Sequence, residues 1–180
     1  METSGELRTF YKSDHALEDT MAHKLLIIVP CGQSKIWQKH PELKDVKASE
    51  AYISAPFKVN KGFAEKFADK WIILSAKHGF IEPNFPIPCN YNVSFNEPQT
   101  DPISLDKLRK QARDKRLQFY DHIIALGGIN YIEIVKEVFS DSSKVVAPTE
   151  GLQIGFAMKR IKSLTNLDKE LMLKTLFEGQ

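Results

Sequence analysis

The sequence predicts an α/β fold: a single three-layer domain with a mainly parallel sheet of four or more strands and a site at the strand C-terminal ends. Three observations predict it. Four short apolar runs, LLIIV (25–29), WIIL (71–74), HIIAL (122–126) and KVVA (144–147), recur along the chain. They are rich in β-branched residues and lack polar alternation, the pattern of strands covered on both faces. Helical stretches with apolar residues three and four apart separate them, so right-handed crossovers bring the four following loops to one edge.

The first element is LLIIV, closed by Pro30, which cannot donate to a ladder. Residues 1–22 before it are polar and aperiodic and read as a loosely ordered arm, leaving 23–180 as one domain. Residues 37–47 read as a polar connection without regular structure. A helix capped by Ser49 is expected to stop near Ser54 because of Pro56, and a longer one carries Phe57, Phe63, Ala64 and Phe67 on one stripe. After WIIL the chain reads as loop, with Pro83, Pro86, Pro88, Pro98 and Pro102. Ser104 caps a helix over 104–120 whose stripe is Leu105, Leu108, Ala112 and Leu117 or Phe119. HIIAL runs into GGINY and a helix, and KVVA into PTEG and another. A last amphipathic helix spans 167–177, capped by Asn166.

Composition narrows the class. Hydrophobic residues at 42% and charged residues at 27% are those of an ordinary globular protein. No run approaches the roughly 18 apolar residues of a membrane span, and no membrane partner is expected. Two cysteines without a CxxC, Cys31 and Cys89, make no disulfide framework, so the expected location is the cytoplasm. A net charge of +2 does not by itself imply nucleic acid.

The four post-strand loops are CGQSK, SAKHG, GGINY and PTEGLQ, each with a glycine and a group able to bind or ionise. Ligands of open α/β sheets bind at this edge. Cys31, Gly32, Ser34 and Lys35 suit an anion or polar ligand, and Ser75 and Lys77 stand beside them, the two lysines able to clamp phosphate. His78, before Gly79, is a candidate acid, base or phosphate contact, or else a histidine bonding the backbone at a strand end. Cys31 acts as a nucleophile or redox sensor only as a thiolate. Cys31, His78 and Cys89 have no zinc spacing, and neither metal nor cofactor is expected. Asn90, Tyr91, Gly128, Asn130, Tyr131 and Gly151 complete the set, amides and aromatics being what a nucleobase pocket uses. Glu150 is the carboxylate best placed to activate water or meet a developing cation, or else a helix-start acid. Lys107, Arg109, Lys110 and Arg113 give the 104–120 helix a basic face that could contact a DNA backbone or be simply solvated.

ILSAKHGFIEPNFPIPCNYNVSF (73–95) resembles the central signature of the YaaA peroxide-stress family and its shorter uncharacterised relatives. VPCGQSK, GINY and the 151–160 segment fall near that family's other loops. The resemblance implies a cytoplasmic α/β protein linked to oxidative stress and DNA. The helix-hairpin-helix element associated with that family has no counterpart here. CGQSK bears a fainter likeness to the Gly-Gln loop of uracil-DNA-glycosylase-like folds. The expectation is a protein that binds a nucleotide, nucleoside or nucleobase at the strand ends. It would cleave or exchange an N-glycosidic bond with Glu150 and His78 as the reacting groups. The alternative is a non-catalytic DNA-binding stress-response protein.

Overall fold

The computed structural model describes residues 24–140 and 145–178; the arm expected at 1–22 lies outside them. The strands are β1 (Leu25–Pro30), β2 (Val46–Lys47), β3 (Lys70–Ser75), β4 (Gly79–Ile81), β5 (Pro86–Ile87), β6 (His122–Ala125) and β7 (Val145–Val146). The α-helices are α1 (Ala48–Ala51), α2 (Ala55–Phe67), α3 (Leu105–Asp114), α4 (Ile129–Val138), α5 (Ile154–Thr165) and α6 (Lys169–Leu173). The main sheet has five strands in the order β4-β3-β1-β6-β7. β1, β3, β6 and β7 are parallel, as the apolar runs predict, and β4 adds an antiparallel edge.

Side chains of β1 alternate between two cores. Leu25, Ile27 and Val29 meet Phe57, Phe63 and Phe67 of α2, Ile161 and Leu164 of α5, and Met172 of α6. Leu26 and Ile28 meet Leu108 and Ala112 of α3 and Tyr131 and Val135 of α4. None of the five residues from Leu25 to Val29 exceeds 1% exposure. Each such side chain contributes roughly 1.5–3 kcal/mol by burial. Two faces covered by helices explain why β1 reads as an unbroken apolar run.

Several local expectations are corrected. Residues 79–81 were expected in loop but form β4, because Gly79 at φ 77° closes a tight turn against β3. The polar connection 37–47 contains β2, which pairs with β5 in a separate two-stranded sheet, and Trp37 is buried. Ser49 is not the α1 cap: the backbone carbonyls of Phe85 and Pro83 accept from Ala48 N (2.9 Å) and Ser49 N (2.8 Å) instead. Pro56 does not break a helix, since it lies in the first turn of α2 behind Ser54, where its missing N–H costs nothing. α3 ends at Asp114, where Arg116 turns left-handed at φ 57°; Leu117 is buried in a short 3₁₀ turn and Phe119 is exposed. Asp168, not Asn166, caps α6, accepting from Leu171 N at 2.8 Å. Among the described residues no helix is long and apolar enough to cross a membrane.

Strand order decides where a ligand would sit. The chain leaves β1 to one side for β3, then crosses back to β6 on the other, so the sheet reverses between β1 and β6. Open α/β sheets bind ligands in the crevice at such a reversal, outside the strand carboxyl ends. Register then sets the partners: Pro30 lies opposite Leu74 and Ile28 opposite Ala125, so Cys31, Ser75 and Gly128 follow at one level.

Candidate functional site

Cys31 lies at this reversal, its sulfur 3.4 Å from the Tyr131 hydroxyl of α4, which bridges the crevice. Burial pushes the Cys31 thiol pKa up, opposed by the Tyr131 hydroxyl, the Ala76 N–H and the Lys35 charge. The thiol therefore stays protonated at neutral pH and lacks the character of a nucleophile. Burial raises the Tyr131 hydroxyl as well, and its ring meets Phe95 edge-on at 5.1 Å.

The loop after β1 is held by its neighbours. A Cβ on Gly32 would come 2.8 Å from Ser54 Oγ and 3.3 Å from Tyr52 Cβ, so this glycine serves close packing. The Ser34 carbonyl accepts from Ile53 N at 3.0 Å, and Lys35 pairs with Tyr52 in an isolated bridge. Those bonds turn Lys35 inward. It is 5% exposed, and its ammonium donates to the Gln33 carbonyl at 3.2 Å and lies 4.3 Å over the Tyr91 ring. Burial pushes its pKa below the ordinary lysine value, opposed by Cys31.

Tyr91 organises the rest. Its hydroxyl bonds that of Tyr52 at 2.5 Å and Ser75 Oγ at 2.9 Å. Ser75 Oγ in turn accepts from Lys77 N (3.3 Å) and His78 N (3.1 Å), fixing the turn into β4. The exposed Lys77 brings its ammonium 5.2 Å from the Tyr91 ring, and the His78 ring stands perpendicular to it at 5.3 Å. Burial drives the Tyr91 pKa up to about 12 and that of Tyr52 higher still. His78 Nε2 is buried without a hydrogen-bond partner among the described residues, and burial together with Lys77 holds the imidazole below its ordinary pKa. Gln111 of α3 latches the turn: its amide donates to the His78 carbonyl at 3.0 Å and accepts from Phe80 N at 2.8 Å.

Cys31, Lys35, Ser75, Lys77, His78, Tyr91 and Tyr131 thus come together from three strand-end loops and the 88–97 segment. Others stand apart. Asn90 is exposed and accepts from Tyr91 N at 3.0 Å, while Asn130 donates to Asn96 at 2.8 Å on the surface. Gly128 caps α4 through its carbonyl, and Gly151 turns at φ 73° in open space. Both Glu150 oxygens accept from Lys136 at 2.7 Å, which ties that carboxylate to α4. On α3, Arg109 reaches Glu137 (2.7 Å) and Asp106 (3.4 Å), and Lys110 reaches Asp114 (2.6 Å), whereas Lys107 and Arg113 point to solvent. An open groove of about 790 Å³ between α3 and α4 shares Asn130 with the predicted set. Among the described residues no cluster of His, Cys, Asp or Glu could hold a metal ion.

Tyr52 and Gln111 are the residues that sequence reading missed. Tyr52 follows a short helix with no distinguishing pattern. Gln111 gave a faint signal, a neutral amide three positions beyond Leu108 on the buried side of a charged helix.

Comparison with known proteins places the chain. The profile of a family of unknown function, DUF6884, matches residues 26–163, which takes in β1 through most of α5 and every strand-end loop just described. The chain belongs to the DUF6884 family. The uncharacterized protein YfjM of Bacillus subtilis (strain 168) is 32% identical over 149 residues, covering 82% of this chain and 99% of that protein. No solved structure matches the chain. The DUF6884 match starts at the second residue of β1 and so spans both sides of the crevice, Cys31 and Tyr131 included.

Proposed function

We propose that the strand-end crevice binds a nucleotide or nucleobase-bearing ligand, with Lys35 and Lys77 meeting its anionic group and Tyr91 and Tyr131 its ring. One observation carries this reading: Lys35 is a buried lysine with no carboxylate in ion-pair contact among the described residues. Taking an ammonium out of water costs several kcal/mol unless a counter-charge compensates, and here the partners are one carbonyl and one ring face. An anion entering beside Tyr91 supplies the missing charge. It would meet Lys77 at the surface and Lys35 beneath. The position at the reversal between β1 and β6 favours the same reading.

The chemistry half of the reading is cleavage or exchange of an N-glycosidic bond. In the hydrolytic form the sugar–base bond breaks, a water oxygen bonds to the sugar carbon, and the base leaves with a water proton. Glu150 would have to exchange its Lys136 contact for the developing cation of the sugar. Neutral His78, with an unpartnered Nε2, is available to accept a proton. The rival surface on α3 is half neutralised by its own acids and Glu137, which favours the crevice over that helix.

A thermal-shift screen of nucleotides, nucleosides and free bases on wild type, Lys35→Met and Glu150→Gln tests both halves, with a chromatographic assay for released base. Stabilisation by nucleotides, lost in Lys35→Met and kept in Glu150→Gln, is the expected result. Equal stabilisation in wild type and Lys35→Met would overturn the crevice as the binding site.

A further inference from the structure

Over Ile154–Thr165, α5 carries Lys159, Arg160 and Lys162 and no Asp or Glu. All three cations are exposed, and none forms an ion pair among the described residues. α3 is the opposite case, its acids interleaved with its bases and one arginine held by α4. At the head of α5 the chain exposes Phe156 (65%) and Ile154 (67%). Phe156 precedes Lys159 by three residues and Arg160 by four, so the ring is flanked by two cations on one helix face. Core packing does not account for this ring, since α5 faces α2 through Ile161 and Leu164.

The head of α5 also lies at the ligand edge. It follows β7, the neighbour of β6, and the Thr149 hydroxyl donates to the Gly127 carbonyl at 3.2 Å, tying the two loops together. Two further apolar side chains, Leu152 in the loop after β7 and Ile129 at the start of α4, are exposed beside it. Two strand spacings, about 10 Å, separate β7 from β1 and the crevice.

We propose that the outer face of α5 binds a single-stranded polynucleotide and leads it to the strand-end crevice, an inference that rests on the nucleobase reading of that crevice. Lys159, Arg160 and Lys162 take backbone phosphates, and Phe156 stacks on a base. An unpaired strand is specified because its bases have free faces for an exposed aromatic, whereas duplex bases are stacked on each other. Charge complementarity with phosphate supplies the rest of the affinity.

Fluorescence anisotropy with a labelled oligothymidylate of about twelve nucleotides, at several salt concentrations, tests the surface. A duplex of equal length serves as competitor. The variants are Lys159→Glu/Arg160→Glu, Phe156→Ala and, as control, Lys107→Glu/Arg113→Glu on α3. All lie at exposed positions, and an unchanged unfolding midpoint checks the fold. The charge reversal should weaken binding at least tenfold and flatten the log–log salt slope by about 1.4, at roughly 0.7 per lost phosphate contact. Phe156→Ala should weaken binding about fivefold or more, and the α3 control should bind as wild type does. Failure of wild type to bind at low salt, preference for the duplex, or loss in the α3 control alone would overturn the proposal. A mononucleotide thermal shift keeps the two readings apart. Retention of that shift in the α5 charge reversal is expected, whereas oligonucleotide binding through α5 with no mononucleotide response would sustain the surface and refute the crevice.

Discussion

Gly79→Ala should destabilise the protein far more than a glycine-to-alanine change in a turn ordinarily does. The residue sits at φ 77°, and a Cβ there would lie 2.1 Å from Gln111 Oε1 and 2.8 Å from its Cδ. Left-handed backbone costs a non-glycine residue about 1 kcal/mol. The larger effect is expulsion of the Gln111 amide, which strands Phe80 N, bonded to it at 2.8 Å, and frees the His78 carbonyl, bonded at 3.0 Å. A buried N–H without a partner costs about 2 kcal/mol and the lost carbonyl bond about 1 kcal/mol. The sum is about 4 kcal/mol, which at about 2–4 °C per kcal/mol for a domain of this size lowers the melting temperature by about 8–16 °C. Gln111→Ala removes the same two bonds without the strain and should cost about 3 kcal/mol. In that background Gly79→Ala should add only the roughly 1 kcal/mol of backbone strain, because the three atoms nearest the Cβ all belong to the Gln111 amide and are gone. Urea denaturation of wild type, both single variants and the double variant measures the coupling. Additive losses, about 7 kcal/mol in the double variant, would show that Gln111 is not what the glycine makes room for. A cost within about 1 kcal/mol for Gly79→Ala would show that the turn relaxes freely, and the latch on the Lys77–His78 loop would lose its basis.

Four other outcomes are expected. Lys35→Met should weaken phosphate or nucleotide binding at least tenfold by calorimetry without lowering the free energy of unfolding, since a buried cation lacking a carboxylate is replaced by an apolar chain of similar length. In wild type, anion affinity should fall as pH rises through the depressed Lys35 pKa, because the ammonium is then lost. For His78, burial and Lys77 hold the folded pKa below the ordinary 6.5, so between those values the unfolded chain binds more protons. Stability should therefore drop as pH falls through 6.5 and level off below the folded pKa, and His78→Asn should abolish that drop in urea midpoints across the range. Asp168→Ala removes the 2.8 Å cap on Leu171 N and should cost about 1 kcal/mol, read as faster amide exchange in α6.

Strands and helices of the main sheet were legible because burial on two faces writes itself into composition. LLIIV and WIIL admit few other readings. β4 was hidden because Gly79-Phe80-Ile81 begins with a glycine that looks like loop, and its pairing with β3 depends on the turn conformation. β2 and β5, two residues each, gain their order from partners far along the chain. The caps failed for a related reason: Ser49 resembles a cap, but Pro83 and Phe85 carbonyls arrive from a loop more than thirty residues away. In the site, Cys31, Lys35, Ser75, Lys77 and His78 were legible because each follows a recognisable strand. Tyr91 was legible as a residue type, but not as the ring between two ammonium groups. Tyr52 was not legible at all, since its role is set by a bridge to Lys35 and a hydroxyl bond to Tyr91.

Charge illustrates the same limit. Counting along the sequence points to the 107–116 stretch, with six cations against Asp106 and Asp114, as the surface for a polyanion. The count omits pairing. Asp106 and Asp114 lie within reach of those cations on the same helix, and Glu137 comes from α4, packed alongside. α5 has half as many cations, yet its three have no acid on their own helix. The helix it packs against through Ile161 and Leu164, α2, carries a single acid, Glu65, which pairs with Lys61 at 3.7 Å. A surface attracts a polyanion by the charge left after internal pairing, and by that measure α5 keeps all three of its cations whereas α3 keeps only Lys107 and Arg113 of its four. Its exposed Phe156 further distinguishes it from a merely solvated face, since a solvated helix gains nothing from an aromatic ring in water. A formal charge of only +2 for the whole chain is compatible with this, because attraction over a Debye length of about 8 Å depends on the local face and not on the total.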